Sequence, residues 1–288
     1  MKTAILGSDL SAASDQIIEN SQEFKLLGIE KIILIYVVNR RNVDDFSIAD
    51  KDATQKRLDI QKNRLMSFGF KAETKIVWGS PSLELMKEAK ECEAGLVIIG
   101  SRGNSMTSQT IGATASETLH HMKIPVLLMV LDKEEARQMQ LLHKSLNRHI
   151  LFATDFSDFS ENAFQVLKNQ CVIVPQLTLM HIQDVARITK HLEDKLEEFN
   201  QIDTARLERM KEEFHQAHPE TKIRIALDYG HPKQLIPRFI KNNGVTLTVM
   251  GSQGRGYIGE FFLGSVSLRV ARHADSNLLI VPFHKKAP

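Results

Sequence analysis

Short, near-continuous apolar runs recur along the chain, separated by longer stretches whose apolar residues keep helical spacing. Parallel strands buried on both faces by crossover helices leave this trace, since neither face of such a strand meets water. The plan is written twice. Residues 3–11 (TAILGSDLS) are echoed by 149–157 (HILFATDFS), which sets Asp9 opposite Asp155. In the same order, 31–38 (KIILIYVV) is echoed by 176–183 (QLTLMHIQ), 77–81 (VWGSP) by 228–232 (DYGHP), and 96–101 (LVIIGS) by 248–252 (TVMGS). Residues 125–130 and 277–282 close each copy with a fifth apolar run. A repeat of this kind outranks any local reading. The pattern predicts an α/β protein of two tandem Rossmann-like domains, each a five-stranded parallel sheet flanked by helices. Domain 1 is expected over 1–131 and domain 2 over 147–288, with the polar, helix-favouring segment 132–146 as the linker.

One helix of the second copy is unusually long. Leu192, Leu196, Phe199, Ile202, Leu207, Met210 and Phe214 keep helical spacing from about residue 190 to 217. Such a stripe ordinarily packs on its own sheet, and a partner-binding face is the lesser alternative.

Composition narrows the class without naming a ligand. With 42% apolar and 25% charged residues in 288, the chain is globular, and no apolar run nears the roughly 20 residues a membrane helix needs. A net charge of +2 gives no field that argues for nucleic acid or an anionic membrane. Cys92 and Cys171 have no metal-type or disulfide-framework spacing, and the N-terminus enters a strand pattern at once, so a cytoplasmic protein is expected.

The chemistry concentrates in 251–267, GSQGRGYIGEFFLGSVS, which lies between the apolar run 245–250 and a helix-compatible segment. Gly251 and Gly254 are read as letting the backbone approach a ligand where a Cβ would collide. Gly264 and Ser265 would set unpaired amides and a hydroxyl at a helix N-terminus, which suits phosphate. The spacing fits neither the P-loop nor the dinucleotide fingerprint. Asp155 ends the first strand of its copy, where α/β sheets bind ligands. Its carboxylate either lines that pocket or caps the helix starting near Asp158.

Gly251, Gly254, Gly264 and Ser265 reproduce the G-x2-G-x9-G-S/T pattern, and the chain resembles tandem universal stress proteins of the ATP-binding type over essentially its whole length. The resemblance implies an adenine nucleotide (ATP, ADP or AMP), with or without Mg²⁺, in domain 2. It sets Ala153 and the main chain of Ile182 at adenine and Asp155 against the nucleotide. Met250, Gly251, Gln253 and Gly254 would follow the ribose and phosphates, and Gly264, Ser265, Val266 and Ser267 would close over the phosphates. It also implies intra-chain pairing of the domains through their last strands, 126–130 and 278–281, and leaves a homodimer open.

Copy one departs from the pattern. Gly112 is followed by Ala113 and Ala115 where copy two has Ser265 and Ser267, and the loop 104–111 is shorter by a residue, so weak or no nucleotide binding is expected there. Thr114 and Ser116 could substitute only in a shifted helix register. No general base or metal cluster announces itself. His215 and His218 lack a third ligand, while His181 and His231 could lie near the pocket mouth but, next to strand ends, read more readily as structural. The expected role is a nucleotide-dependent stress-response regulator or sensor; a slow Mg²⁺-dependent ATPase and a nucleotide-free interaction scaffold are the alternatives.

Overall fold

The computed structural model describes residues 1–39, 47–102, 111–133, 139–141, 145–172, 174–184, 195–255, 263–273 and 275–283. They form two compact units, Met1–Lys144 and Ser145–Pro288. The first runs β1 (Thr3–Gly7), α1 (Ala12–Glu19), a 3-10 turn (Ser21–Leu27), β2 (Lys31–Asn39), α2 (Ile48–Ser67), β3 (Lys71–Gly79), α3 (Pro81–Glu91), β4 (Leu96–Gly100), α4 (Ala113–His121) and β5 (Val126–Met129). The segment read as a helix-favouring linker instead carries a short antiparallel pair, β6 (Leu131–Lys133) and β7 (Met139–Leu141). The second unit runs β8 (Ile150–Thr154), α5 (Asp158–Gln170), β9 (Gln176–Asp184), α6 (Leu196–Ala217), β10 (Lys222–Gly230), α7 (Pro232–Asn243), β11 (Leu247–Gly251), α8 (Ser265–His273) and β12 (Asn277–Val281).

Within each unit the five long strands are parallel. Their order is β3-β2-β1-β4-β5 in the first and β10-β9-β8-β11-β12 in the second. Every residue of β8, β11 and β12 is buried, whereas β10, with one strand neighbour in its unit, is half-exposed along its length. For β8 and β11 this follows from position, because both lie inside the sheet of their unit with helices over each face. Phe152, Phe164 and Phe214 stack through the core of unit 2 from β8, α5 and α6, all fully buried. Cys171 ends α5 as a free thiol, and burial pushes it up to about 12.

Two features of this topology make a site. The first strand of each unit has the second on one side and the fourth on the other, so right-handed crossovers leave it in opposite directions and cover opposite faces. A crevice therefore opens above β8. The register also matters. The last partner of β8 on β9 is His181, opposite Thr154, but β9 continues to Asp184. Main-chain groups of Ile182, Gln183 and Asp184 on that edge have no strand beside them and face the crevice.

Candidate functional site

At the carboxyl ends of β8, β9 and β11 lies a cavity of about 690 Å³. All eleven residues selected from the sequence line it. Ala153, Met250 and Ile182 form its floor, each under 8% exposed. Gly251, Gln253 and Gly254 carry the chain from β11 along one wall, and Gly264 to Ser267 bring it back into α8.

The α8 end is built for an anion. Leu268 N–H donates to Gly264 C=O at 2.8 Å, so the helix begins there and the amides of Ser265, Val266 and Ser267 have no partner within it. Those amides and the helix dipole favour negative charge. Gly264 N–H donates to Ser252 C=O at 2.7 Å, which fastens the returning chain to β11. Of the two expected hydroxyls, Ser265 is exposed to the cavity, whereas the Ser267 hydroxyl donates to Gly251 C=O at 2.9 Å and is only 3% exposed. Ser267 therefore braces the turn with its side chain and offers its amide.

The two glycines of the loop make room for protein. A Cβ on Gly251 would stand 2.8 Å from the Phe159 carbonyl carbon and oxygen, so this glycine lets α5 press onto β11. A Cβ on Gly254 would stand 2.5 Å from Asp155 Oδ2. That oxygen accepts from Arg255 N–H at 2.7 Å, and Oδ1 accepts from Ser157 N–H at 3.1 Å and Ser157 Oγ–H at 2.6 Å. The N-cap of α5 is Ser157 itself. Asp155 thus joins the two readings: it holds the cap residue with one oxygen and the start of the glycine loop with the other, at the cavity wall.

Several residues of the site were not foreseen. Between Asp155 and Ser157 the chain turns through the left-handed region at Phe156, φ 57°, a conformation that costs an ordinary residue roughly 1–2 kcal/mol. Thr154 Oγ1 accepts from Phe156 N–H at 2.9 Å to hold it. The Phe156 ring lies 4.5 Å from the His181 ring, with the Arg206 and Arg255 guanidiniums over it at 5.2 and 5.8 Å. His181 is buried, its Nδ1 is 2.8 Å from Thr154 C=O, and its Nε2 is 3.5 Å from Asp203. Burial holds the imidazole below its ordinary value, and the Thr154 carbonyl and the Asp203 charge only partly offset that. Phe199, Ile202, Asp203 and Arg206 of α6, and Pro232 and Ile236 of α7, complete the walls. His231 is exposed at the N-cap of α7, and His218 stacks on Phe214 and meets Lys168 C=O at 2.7 Å. Among the described residues no three His, Cys, Asp or Glu side chains cluster as a metal site.

Unit 1 has the equivalent crevice, at about 450 Å³. Asp9 Oδ1 accepts from Ser11 N–H at 3.0 Å, as Asp155 does from Ser157, with the Ser14 hydroxyl as its second donor at 2.6 Å, and Leu10 repeats the left-handed turn at φ 58°. α4 starts at Ala113, in the same register as α8 at Ser265, so Thr114 and Ser116 do not take over the missing hydroxyl positions. The loop 103–110 lies outside the described residues.

A doubly wound parallel sheet with a helix N-terminus at its switch point defines an α/β protein whose second repeat carries a crevice suited to an anion. Residues 1–129 and 146–282 both match the universal stress protein family, and the chain belongs to that family. It is 26% identical to a universal stress protein of Mycolicibacterium smegmatis over 74% of this chain and 69% of the relative. It is 28% identical to one from Methanocaldococcus jannaschii over 46% of this chain and 94% of the relative. A universal stress protein structure from Archaeoglobus fulgidus superposes with a TM-score of 0.69, covering 97% of this chain and 96% of that one at 21% identity. No helix among the described residues is long and apolar enough to cross a membrane.

Proposed function

We propose that unit 2 binds an adenine nucleotide, ATP, ADP or AMP, and that the protein acts as a nucleotide-dependent stress-response regulator or sensor. One observation carries the reading: eleven residues chosen from a nucleotide-type sequence pattern line a single crevice that ends on the free amides of α8. Phosphates seat at Ser265, Val266 and Ser267, and the base lies over Ala153 and Ile182. Among the described residues the carboxylate at the phosphate end, Asp155, is already accepting from Arg255 and Ser157. The chemistry of the crevice is retention of the nucleotide rather than turnover.

The test is to denature the purified protein and count the released nucleotide by chromatography, with Ser265→Asp alongside. Ser265 is exposed in the first turn of α8, where a carboxylate favours the helix but repels a phosphate. About one adenine nucleotide per chain, lost in a variant that melts where nucleotide-stripped wild type does, supports the reading. An empty wild-type protein whose melting is unmoved by ATP rejects it.

A further inference from the structure

The two crevices differ on one side. Helix α6 contributes Phe199, Ile202, Asp203 and Arg206 to the larger cavity, while no α2 residue lines the smaller one among the described residues. Helix registers can be matched through the buried pairs Leu58 and Leu65 of α2 and Leu207 and Phe214 of α6, each seven residues apart. That match sets Thr54 at the position of Asp203 and Arg57 at that of Arg206. The strand registers set Tyr36 and Val38 at the positions of His181 and Gln183.

In unit 1 this side is closed by protein. Gln61, 5% exposed, accepts from Ser8 Oγ–H at 2.9 Å and donates to Asp15 at 2.6 Å, and Arg57 donates to Leu10 C=O. In unit 2 the described residues on this side line the cavity with polar groups. Gln183 Nε2–H donates to Asp203 Oδ2 at 3.0 Å, and Arg206 donates to Oδ1 at 3.3 Å. The Asp203 side chain is 13% exposed and lines the cavity. The repeat that keeps the full phosphate pattern is thus the one with a fixed carboxylate on the α6 side of its crevice.

We infer that Asp203 is a ligand-contacting specificity residue, accepting a hydrogen bond from an N–H or O–H donor on the nucleoside end of the bound nucleotide. The inference rests on the nucleotide reading above. The α8 end takes the negative charge, so the neutral end of the ligand points toward α6, where an ionised carboxylate would repel phosphate. An ionised carboxylate only accepts hydrogen bonds and has about four lone-pair sites; His181 Nε2 stands 3.5 Å from Oδ2, and Gln183 and Arg206 occupy two. The same two residues fix its rotamer, so it does not have to be ordered on binding. Ile182, Ile202 and Ile236 border the approach with apolar surface that suits a flat base. The donor is either the exocyclic amine of the base or a ribose hydroxyl, and both present the same chemistry to the carboxylate.

The experiment is calorimetric titration of the nucleotide-stripped wild-type protein with ATP, the triphosphate of purine riboside, which lacks the 6-amino group, and 2′-deoxy- and 3′-deoxy-ATP. The series is repeated on Asp203→Ala and Asp203→Asn. In the wild type one analogue is expected to bind roughly tenfold or more weaker than ATP, the loss that follows when a charged acceptor keeps no donor. Weak binding of the deaminated analogue assigns the contact to the base, and weak binding of a deoxy analogue assigns it to the sugar. In Asp203→Ala the discrimination collapses to within about threefold, and in Asp203→Asn, which keeps one acceptor oxygen, it is intermediate. Wild-type protein that binds ATP and all three analogues alike overturns the inference and leaves the nucleotide reading standing, with no variant needed. Discrimination that survives in a folded Asp203→Ala protein also overturns it. Wild-type protein that binds none of the four overturns the nucleotide reading itself.

Discussion

Gly251 and Gly254 stand three positions apart in the same loop, yet their missing side chains answer to different neighbours. At Gly251 the obstacle is the Phe159 main chain, which cannot move without shifting α5. Gly251→Ala is expected to destabilise unit 2 by about 1–3 kcal/mol, the usual cost of overpacking, measured as a lowered urea midpoint. At Gly254 the obstacle is the Asp155 carboxylate, the movable end of a side chain. Gly254→Ala should leave the midpoint within about 1 kcal/mol of wild type and act on nucleotide affinity, because it dislodges Asp155 from Arg255. Equal loss of stability in the two variants would contradict this division. The sequence spacing located both glycines but could not reveal it: it assigned both to ligand approach, and the colliding atoms belong to residues about a hundred positions earlier.

The elements show where a pattern stops being informative. The β11 strand, expected at 245–250, spans Leu247–Gly251, and the helix placed after Gly264 starts at Ser265, because burial and a helix start leave local traces. The stripe on α6 was legible as a stripe but not as two surfaces. Leu207, Met210 and Phe214 pack in the core, whereas Phe199 and Ile202, one to two turns earlier, lie where the helix overhangs the sheet and line the cavity. Helical spacing is the same in both halves, so nothing along the chain announces the overhang, and Asp203 and Arg206 went unnoticed among other charged residues. Truncation separates the halves. Leu207→Ala, at a fully buried site, should cost about 2–5 kcal/mol. Ile202→Ala, at a site 42% exposed, should cost under about 1 kcal/mol, while weakening nucleotide binding. Chemical denaturation and titration of both variants decide the matter.

At the scale of the molecule, the repeat and the five-stranded plan of each copy were readable because they are written twice in matching order. The β6–β7 pair was not, since its segment is polar and favours helix by composition. The described histidines lead to an expectation that acid acts first on unit 2. His149 and His181, both in unit 2, are held below their ordinary value mainly by burial; His149 is enclosed between Asn243 C=O at 3.0 Å and Thr178 Oγ1 at 2.9 Å. The unfolded chain takes up protons on these imidazoles near pH 6.5, before the folded unit does. Stability is therefore greatest above that pH and declines as pH falls toward the folded-state values. Hydrogen exchange at pH 7.5 and pH 5.5 should show protection lost preferentially in β8, β9 and α5, and His181→Gln should reduce the loss. Uniform loss across both units would refute the assignment.

The left-handed turn at Phe156 sits beside the larger crevice, and taken alone it invites the view that backbone strain there serves a ligand. Leu10 carries the same turn in the copy whose helix start has alanines at the two serine positions, and whose crevice is sealed on one side by Gln61 and Arg57. A cost of the same kind is thus met where the ligand groups are gone. The strained elbow belongs to the architecture: it lifts the chain off the end of the first strand so that a serine can open the next helix, and a hollow remains beneath. In this chain the hollow is a by-product of folding, and the residues that line it determine whether it is filled.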